Sequence, residues 1–441
     1  MQTASKKVVN GWAMYDWANS VYNLVITSTI FPAYYEAITG DGNENTLIDK
    51  IKIGPYEFSN TALYNYILAI AFVIVAILSP ILSSIADYRG NKKQFLRFFC
   101  TMGSLACASL YFFDSNHIIG GLISVIIACV GFWGSLVFYN SYLPDIAFPE
   151  QQDKISAKGF SIGYIGSVLL LIINLAMVMK PEFFGITGTS GEASMKAMRY
   201  SFVMVGIWWI GFSQYTYYYL PNGNKGHKVT KAVVFNGFHE LKKVWYLLEH
   251  NVQLKRFLGS FFVYGMAVQT VMIIAVYFGE QEISWASDSE KTTGLIISIL
   301  VIQLVAILGA NLTSKASEKF GNITTLIFLN CIWAVLCLVA FFVTLPIEFY
   351  LTAGFVGLVM GGIQALSRST YSKMLPETDD TASFFSFYDV SEKIGIVIGM
   401  CLYGIIDQVT GSPRYSIVFL GLFFVTGIVL LSRVPKKIMI K

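Results

Sequence analysis

Asp16, Asn19 and Asn23 recur at spacings of three and four in an otherwise apolar stretch from Gly11 to Phe31-Pro32, and Trp12 and Thr27 continue the series. That spacing puts all five on one helical face. Lipid satisfies neither a carboxylate nor an amide, so the face must turn to a protein interior or a watery cavity. There Asp16 can titrate or pair with a solute amine, or it can simply sit near a helix start that the dipole favours. Asn19 and Asn23 can line the cavity or serve as interhelical hydrogen-bond glue.

A second group stands far along the chain. Asp389 and Lys393 are four apart with the acid first, the favourable order for a helical pair. Lys393 falls near mid-span, where a charge costs about 2.5–3.5 kcal/mol. One well-made pair offsets much of that, and Glu392 is left over. Arg368 is a candidate partner for Glu392. Alternatively, a solute carboxylate docks between Arg368 and Lys393, because a planar guanidinium suits a carboxylate. Gln269, Gln303, Gln364, Tyr139 and Asn140 are secondary candidates, each open to a packing role or a ligand role. Proton coupling through Asp16 or Glu392 follows as a hypothesis.

The elements that must position these groups are membrane helices. Of 441 residues, 55% are hydrophobic and only 13% charged, against about 25% charged in an ordinary soluble domain. Mean hydropathy is +0.59. The net charge of +4 is too small to suggest nucleic acid. The N-terminus leads into the striped helix with no small-residue cleavage site, so no removable signal peptide is expected. Cys100, Cys107, Cys129, Cys331, Cys337 and Cys401 all fall in apolar segments without a CxxC pair, and read as reduced, buried packing residues. No nucleotide-binding loop, no Ser/His/Asp arrangement and no histidine cluster for a metal is visible, so no cofactor, no metal and no enzymatic activity are expected.

Apolar runs of roughly 20 residues mark the spans. They lie at about 11–33, 61–86, 95–113, 118–143, 157–179, 198–220, 256–279, 292–314, 324–345, 350–373, 384–407 and 414–434. The organisation is six spans in residues 1–220, a linker at 221–255, and six spans in 256–441. The linker reads as an amphipathic helix with Val234, Phe238, Leu241, Trp245 and Leu248 on one face and Glu240, Lys242 and Lys243 off it. Lys and Arg gather in alternate loops (Lys6, Lys7, Arg89, Lys92, Lys93, Arg97, Lys154, Lys158, Lys315, Lys319, Lys373 and the tail), while acids such as Glu36, Asp41, Glu44, Glu280 and Glu282 gather in the others. The bias puts both termini in the cytoplasm.

The two sets of spans are tandem copies. Ser83-Ser84-Ile85-Ala86-Asp87-Tyr88-Arg89-Gly90-Asn91 follows the second span, and Ser314-Lys315-Ala316-Ser317-Glu318-Lys319-Phe320-Gly321-Asn322 follows the eighth, with serine, acid, glycine and asparagine in register. Tyr139, Leu143-Pro144 and Gly163 repeat as Tyr371, Leu375-Pro376 and Gly395 at almost the same offset. Parallel repeats place a pseudo-twofold axis along the membrane normal and a binding site between the halves. Asp87 ends a helix, Gly90 allows the tight turn, and Arg89, Lys92 and Lys93 supply partners for Asp87 or for a neighbouring helix end. Together with Glu318 and Gly321, they read as cytoplasmic gating loops that are made in one conformer and broken in another.

This loop resembles the signature between helices two and three of the major facilitator superfamily, with Ser83 in place of its glycine and Asn91 in place of its arginine. Tyr15-Asp16-Trp17-Ala18-Asn19-Ser20, Lys158-Gly159-Phe160-Ser161-Ile162-Gly163-Tyr164-Ile165-Gly166, Gly361-Gly362-Ile363-Gln364-Ala365-Leu366-Ser367-Arg368-Ser369 and Phe384-Phe385-Ser386-Phe387-Tyr388 narrow the match. They are similar to the branch that holds the fungal vacuolar amino-acid effluxers and related bacterial permeases. The resemblance covers nearly the whole chain and implies twelve helices and rocker-switch transport. One departure stands out. That branch often carries an asparagine–aspartate pair after the tyrosine of span seven, where this chain has Tyr264-Gly265-Met266-Ala267. A role for that acid is lost or moved here.

The fold expected is thus an all-α membrane protein of twelve transmembrane helices in two six-helix halves. The function expected is secondary active transport of a small polar solute, an amino acid first, with protons as the candidate coupling ion. A sugar or drug exporter of the same fold, a non-transporting membrane sensor and a lipid flippase are the competing readings. A monomer in a bilayer is expected, without nucleic acid. The outer loops carry no glycosylation sequons, which fits a bacterial cytoplasmic membrane.

Overall fold

The computed structural model describes residues 5–40, 50–53, 55–223 and 233–435. The first crossing is made of α1 (Lys6–Val21), a π-helical stretch (Tyr22–Thr27) and α2 (Ile30–Thr39). An outer hairpin of β1 (Lys50–Ile53) and β2 (Tyr56–Ser59) follows, antiparallel, with Ile51 opposite Phe58. Then come α3 (Asn60–Arg89), α4 (Lys92–Ser109), α5 (Ile118–Asn140), a single turn α6 (Leu143–Ile146), α7 (Pro149–Met179) and α8 (Ser190–Tyr219). The linker helix is α9 (Val233–His250). The last six crossings are α10 (Val252–Glu282), α11 (Asp288–Phe320), α12 (Asn322–Ala340), α13 (Pro346–Met374), α14 (Thr381–Thr410) and α15 (Pro413–Ser432).

Ten of these helices are long and apolar enough to cross a bilayer by length and composition alone. The remaining two crossings are the first, which the π-helical stretch breaks into short pieces, and α8, whose inner end is rich in tyrosine. The helices outrun the apolar runs read from the sequence. At 1.5 Å per residue the 33 residues of α11 make about 50 Å, well past a hydrocarbon core of about 30 Å. The projecting turns are polar and capped. Ser59 accepts from the Ala62 N–H, Asn251 from Leu254 and Ser287 from Glu290, satisfying donors that a helix start leaves free.

Two large hydrophobic cores form, with a small third of Ala157, Ala310 and Ala365 where α7 meets α11 and α13. One is built almost wholly from the first six crossings and includes Trp12, Phe31, Phe138 and Trp209. The other is built mainly from the last six, with Trp333, Tyr371, Phe385 and Phe424. Small residues let the backbones of α11 and α13 close up: a Cβ on Gly361 would stand 2.2 Å from the Ala306 carbonyl oxygen. Between the two sets, α7 packs on α11 and α13, and α3 packs on α14.

Three details differ from the sequence reading. Ahead of α3, Lys50–Ile53 and Tyr56–Ser59 pair as a β-hairpin, with Ile51 buried and Phe58 partly buried in the first core. Cys331 and Cys401 are exposed whereas the other four cysteines are buried, since a helix face that meets lipid needs no protein cover. Among the described side chains of α9, Val244 and Leu248 are buried, while Trp245 is 55% exposed. The helix rests on α3, α10 and α14, so protein contacts choose its inner face. The side chains of Val234, Phe238 and Glu240 lie outside the described residues, as do Asp41, Glu44 and the last lysines of the tail.

Candidate functional site

Arg368 of α13 is the centre of the first cluster. It reaches from the last six crossings into the first six and is buried. Nη1 and Nη2 both donate to Asp16 Oδ2 at 3.3 Å, Nη1 also to Asn140 Oδ1 at 3.3 Å. Nε donates to Ser156 Oγ and Nη2 to the Ser156 carbonyl, each at 2.9 Å. The five donors of the fork are thereby matched. The guanidinium lies 4.2 Å from the ring centre of Phe160 and 4.8 Å from that of Trp12, so aromatic faces replace water around the charge. Tyr139 donates to the same Asp16 oxygen at 2.7 Å. Trp12 stacks on Tyr139 at 4.5 Å and donates to its carbonyl at 2.9 Å. The arrangement needs α7 close by, and Gly159 provides it: a Cβ there would stand 2.4 Å from Asp16 Oδ2.

The second cluster surrounds Lys393 of α14, which is fully buried. Its ammonium lies 2.8 Å from Asp389 Oδ1 and 2.7 Å from Glu392 Oε2, and 3.5 Å above the Trp133 ring of α5. Ser79 of α3 donates to Asp389 at 3.4 Å, and Gln269 of α10 donates to Glu392 Oε1 at 2.6 Å. Two carboxylates share one cation, which leaves one negative charge. Arg368 does not partner Glu392, contrary to the sequence expectation, because Asp16 holds it. Nor do Arg368 and Lys393 share one site: Arg368 is held by Asp16, Asn140 and Ser156, and Lys393 by Asp389 and Glu392.

On the side of the α3–α4 and α11–α12 turns the two sets of crossings are joined by three further groups. Asp87 accepts from the Ala382 N–H at 3.2 Å, the Ser383 N–H at 2.6 Å and the Ser383 hydroxyl at 2.7 Å. These donors are the free first-turn groups of α14, where the dipole also favours an anion. Asp153 of α7 accepts from Lys373 at 2.6 Å, Ser317 at 2.8 Å and Asn322 at 2.9 Å. Lys92 pairs with Asp145 and donates to Thr381 at 2.7 Å. Outside the bundle, Lys243 of α9 pairs with Asp380 at 2.9 Å. These contacts hold the two sets of crossings together on that side.

The remaining predicted residues fall as follows. Gly90 takes φ +68°, the left-handed conformation that its turn requires, and Gly321 takes φ +83°. Lys93 donates to the Leu220 carbonyl at the end of α8. Arg89 is half-buried, and its Nε has no partner. Glu318 is exposed; at the corresponding interface the acid is Asp153 on α7, whose charge would repel it. Asn19 is buried with its Nδ2 unmatched, while Asn23 is exposed. Gln364 accepts from Tyr164 at 2.9 Å across the interface. Gln303 is half-buried on α11 and bonds to neither cluster. Sequence reasoning missed Asp153, Ser156, Lys373, Ser79 and Trp133 as site residues. The first of these sits four residues before the apolar run at 157, a position that reads as loop.

A model of the family described as vacuole effluxer Atg22 like matches residues 4–438. The MFS-type transporter YxiO of Bacillus subtilis is 31% identical over 433 residues, covering 98% of this chain and 95% of its own. Autophagy-related protein 22 of Eremothecium gossypii is 24% identical over 479 residues, covering 97% and 90%. The proton:xylose symporter XylE, solved with 6-bromo-6-deoxy-D-glucose, superposes with a TM-score of 0.70 at 12% identity, covering 98% of this chain and 96% of that one, a likeness of fold. The chain belongs to the Atg22-like vacuole effluxer family and has the twelve-helix major facilitator fold.

Proposed function

We propose that this protein is a secondary active transporter for a small polar solute, an amino acid first, and that it works by rocking residues 1–220 against 256–441. The observation that carries this reading is the Asp16–Arg368 contact. It is a buried ion pair between two separately cored sets of helices, and it must open if the cytoplasmic side is to open. The resemblance to fungal vacuolar amino-acid effluxers supports the solute class. The cytoplasmic placement of both termini rests on the lysine and arginine bias, and the 31% identity to a Bacillus subtilis protein supports a bacterial membrane. A monomer is sufficient, since each cluster is complete within one chain.

Protons are proposed to couple through Asp389 and Glu392. Asp16 is matched one to one by Arg368, whereas the Lys393 cluster carries a surplus negative charge that one proton neutralises. The test is uptake and counterflow of labelled amino acids in proteoliposomes under an imposed pH gradient. Accumulation that follows the gradient and collapses with a protonophore is expected. Asp389→Asn is expected to lose the gradient response while retaining counterflow at raised solute concentration. Flux without gradient dependence would remove the coupling, and no flux of any solute would remove the transporter reading.

A further inference from the structure

Two buried cations, Arg368 and Lys393, stand within the crossings, and each is already committed to protein carboxylates and aromatic faces. All five N–H groups of Arg368 are taken by Asp16, Asn140 and Ser156, and its faces are covered by Phe160 and Trp12. Lys393 is fully buried between two carboxylates and the Trp133 ring. A solute recognised by a carboxylate would have to detach one of them and leave a buried acid unpaired.

Acceptors are in surplus. Asp389 and Glu392 carry two negative charges against one positive. A carboxylate offers about four acceptor positions, and Glu392 uses one for Lys393 and one for Gln269. The Gln269 amide donates through Nε2, so its own oxygen lies beside that carboxylate, with no protein hydrogen bond among the described residues. Glu392 is also the open corner of the cluster, with 16% of its side chain exposed against 5% for Asp389 and none for Lys393. It stands about 16 Å along α14 from Thr381 at 1.5 Å per residue, near the middle of a bilayer core of about 30 Å. Acid and amide surface exposed at that depth faces a passage, not lipid.

We propose that the Glu392–Gln269 corner binds an ammonium group of the solute, so that the transported class is primary amines and zwitterions recognised by their amine and not by their carboxylate. Three ammonium donors meet the open oxygens of Glu392 and Gln269, and the single positive charge closes the surplus of the cluster. This inference rests on the transporter reading above and deepens it.

The test is thermal stabilisation of the detergent-purified full chain by three matched triplets: leucine, lysine and glutamine, their amides, and their fully N-acetylated derivatives, with both amines of lysine acetylated. Ligands that bind the folded state raise Tm by mass action. At least one amino acid and its amide are expected to raise Tm to a similar extent, while the N-acetyl compounds leave it unchanged. In Glu392→Gln, which leaves Lys393 and Asp389 as a one-to-one pair, the response is expected to weaken at least tenfold in ligand concentration. N-acetyl compounds that stabilise as well as the parents would overturn the proposal, as would an undiminished response in Glu392→Gln. If no member of the panel shifts Tm while a sugar or nucleoside does, amine recognition is wrong and the transporter reading stands. If nothing shifts Tm and labelled leucine, lysine and glutamine show no counterflow, amine recognition is wrong as well; only the loss of all solute flux removes the transporter reading. Should Glu392→Gln fail to fold, the triplets on the unaltered chain decide.

Discussion

Asp87 and Asp153 close the same face of the bundle from inverted positions in the repeat. Asp87 sits at the end of α3 and accepts from the first turn of α14. Its counterpart by sequence at the end of α11, Glu318, is exposed, and the acid there is contributed by the opposing helix α7, as Asp153. The two seals are therefore chemically different. Asp87 is held by backbone N–H groups and a hydroxyl, Asp153 by a lysine, a serine and an asparagine.

Asp153→Asn is expected to loosen the seal, since Lys373 would lose its ionic partner while remaining buried. Amide hydrogen exchange of the α11–α12 turn around Gly321 is expected to quicken. Glu318→Gln should change that exchange little, as an exposed substitution away from any contact usually stays within about 0.5 kcal/mol. Equal effects from both would show that Glu318 shares the seal.

For Asp87, the informative comparison is Asp87→Ala against Arg89→Gln. Removing the carboxylate orphans two backbone donors and a hydroxyl at the start of α14, a loss of about 0.5–2 kcal/mol by analogy with helix caps. Exchange at Ser383 should rise accordingly. Arg89→Gln should leave it unchanged, because the guanidinium does not reach Asp87.

Arg368→Ala would leave Asp16 buried and unpaired, and is expected to cost about 3–5 kcal/mol in thermal unfolding. The double variant Asp16→Asn with Arg368→Met should recover much of that, because a neutral pair of similar volume carries no stranded charge. A double variant no more stable than Arg368→Ala would mean that packing, not charge, dominates this contact.

Glycine substitutions separate close packing from open surface. Gly159→Ala puts a methyl 2.4 Å from Asp16 and 3.1 Å from Arg368, and Gly163→Ala puts one 2.5 Å from the Ser20 hydroxyl. Each is expected to lower stability by about 1–3 kcal/mol as overpacking. Gly259→Ala meets nothing within 4 Å, and should be neutral or stabilising by up to about 1 kcal/mol through helix propensity. Tm values of the three variants side by side are the measurement.

The crossings were legible because lipid demands unbroken apolar runs, and the tandem repeat because two unrelated landmarks share one offset. The first half of the polar stripe, Trp12, Asp16 and Asn19, was legible for the same reason, as was the Asp389–Lys393 pair with its four-residue spacing, but Asn23 is exposed because the π-helical stretch turns it off that face. What periodicity could not reveal was partnership across helices. Arg368 meets Asp16 although 352 positions separate them; nothing local chooses between Asp16 and Glu392 as its partner. The break in the first crossing was hidden too, since Tyr22–Thr27 continues the apolar pattern while its backbone widens into a π-helix.

Asp16, Asp87 and Asp153 all belong to the first six crossings, and their partners Arg368, Ser383 and Lys373 all belong to the last six. The duplication is thus unequal where the copies touch: at these three sites the first copy supplies the anion and the last the donors that meet it, although Ser79, Lys92 and Tyr164 of the first copy donate in the other direction. Two first copies would confront one another with like charge, and two last copies would strand their cations. Each copy therefore recognises the other by sign, so neither can be exchanged for a second of its own kind, and a change in one sealing surface constrains what its opposite can become.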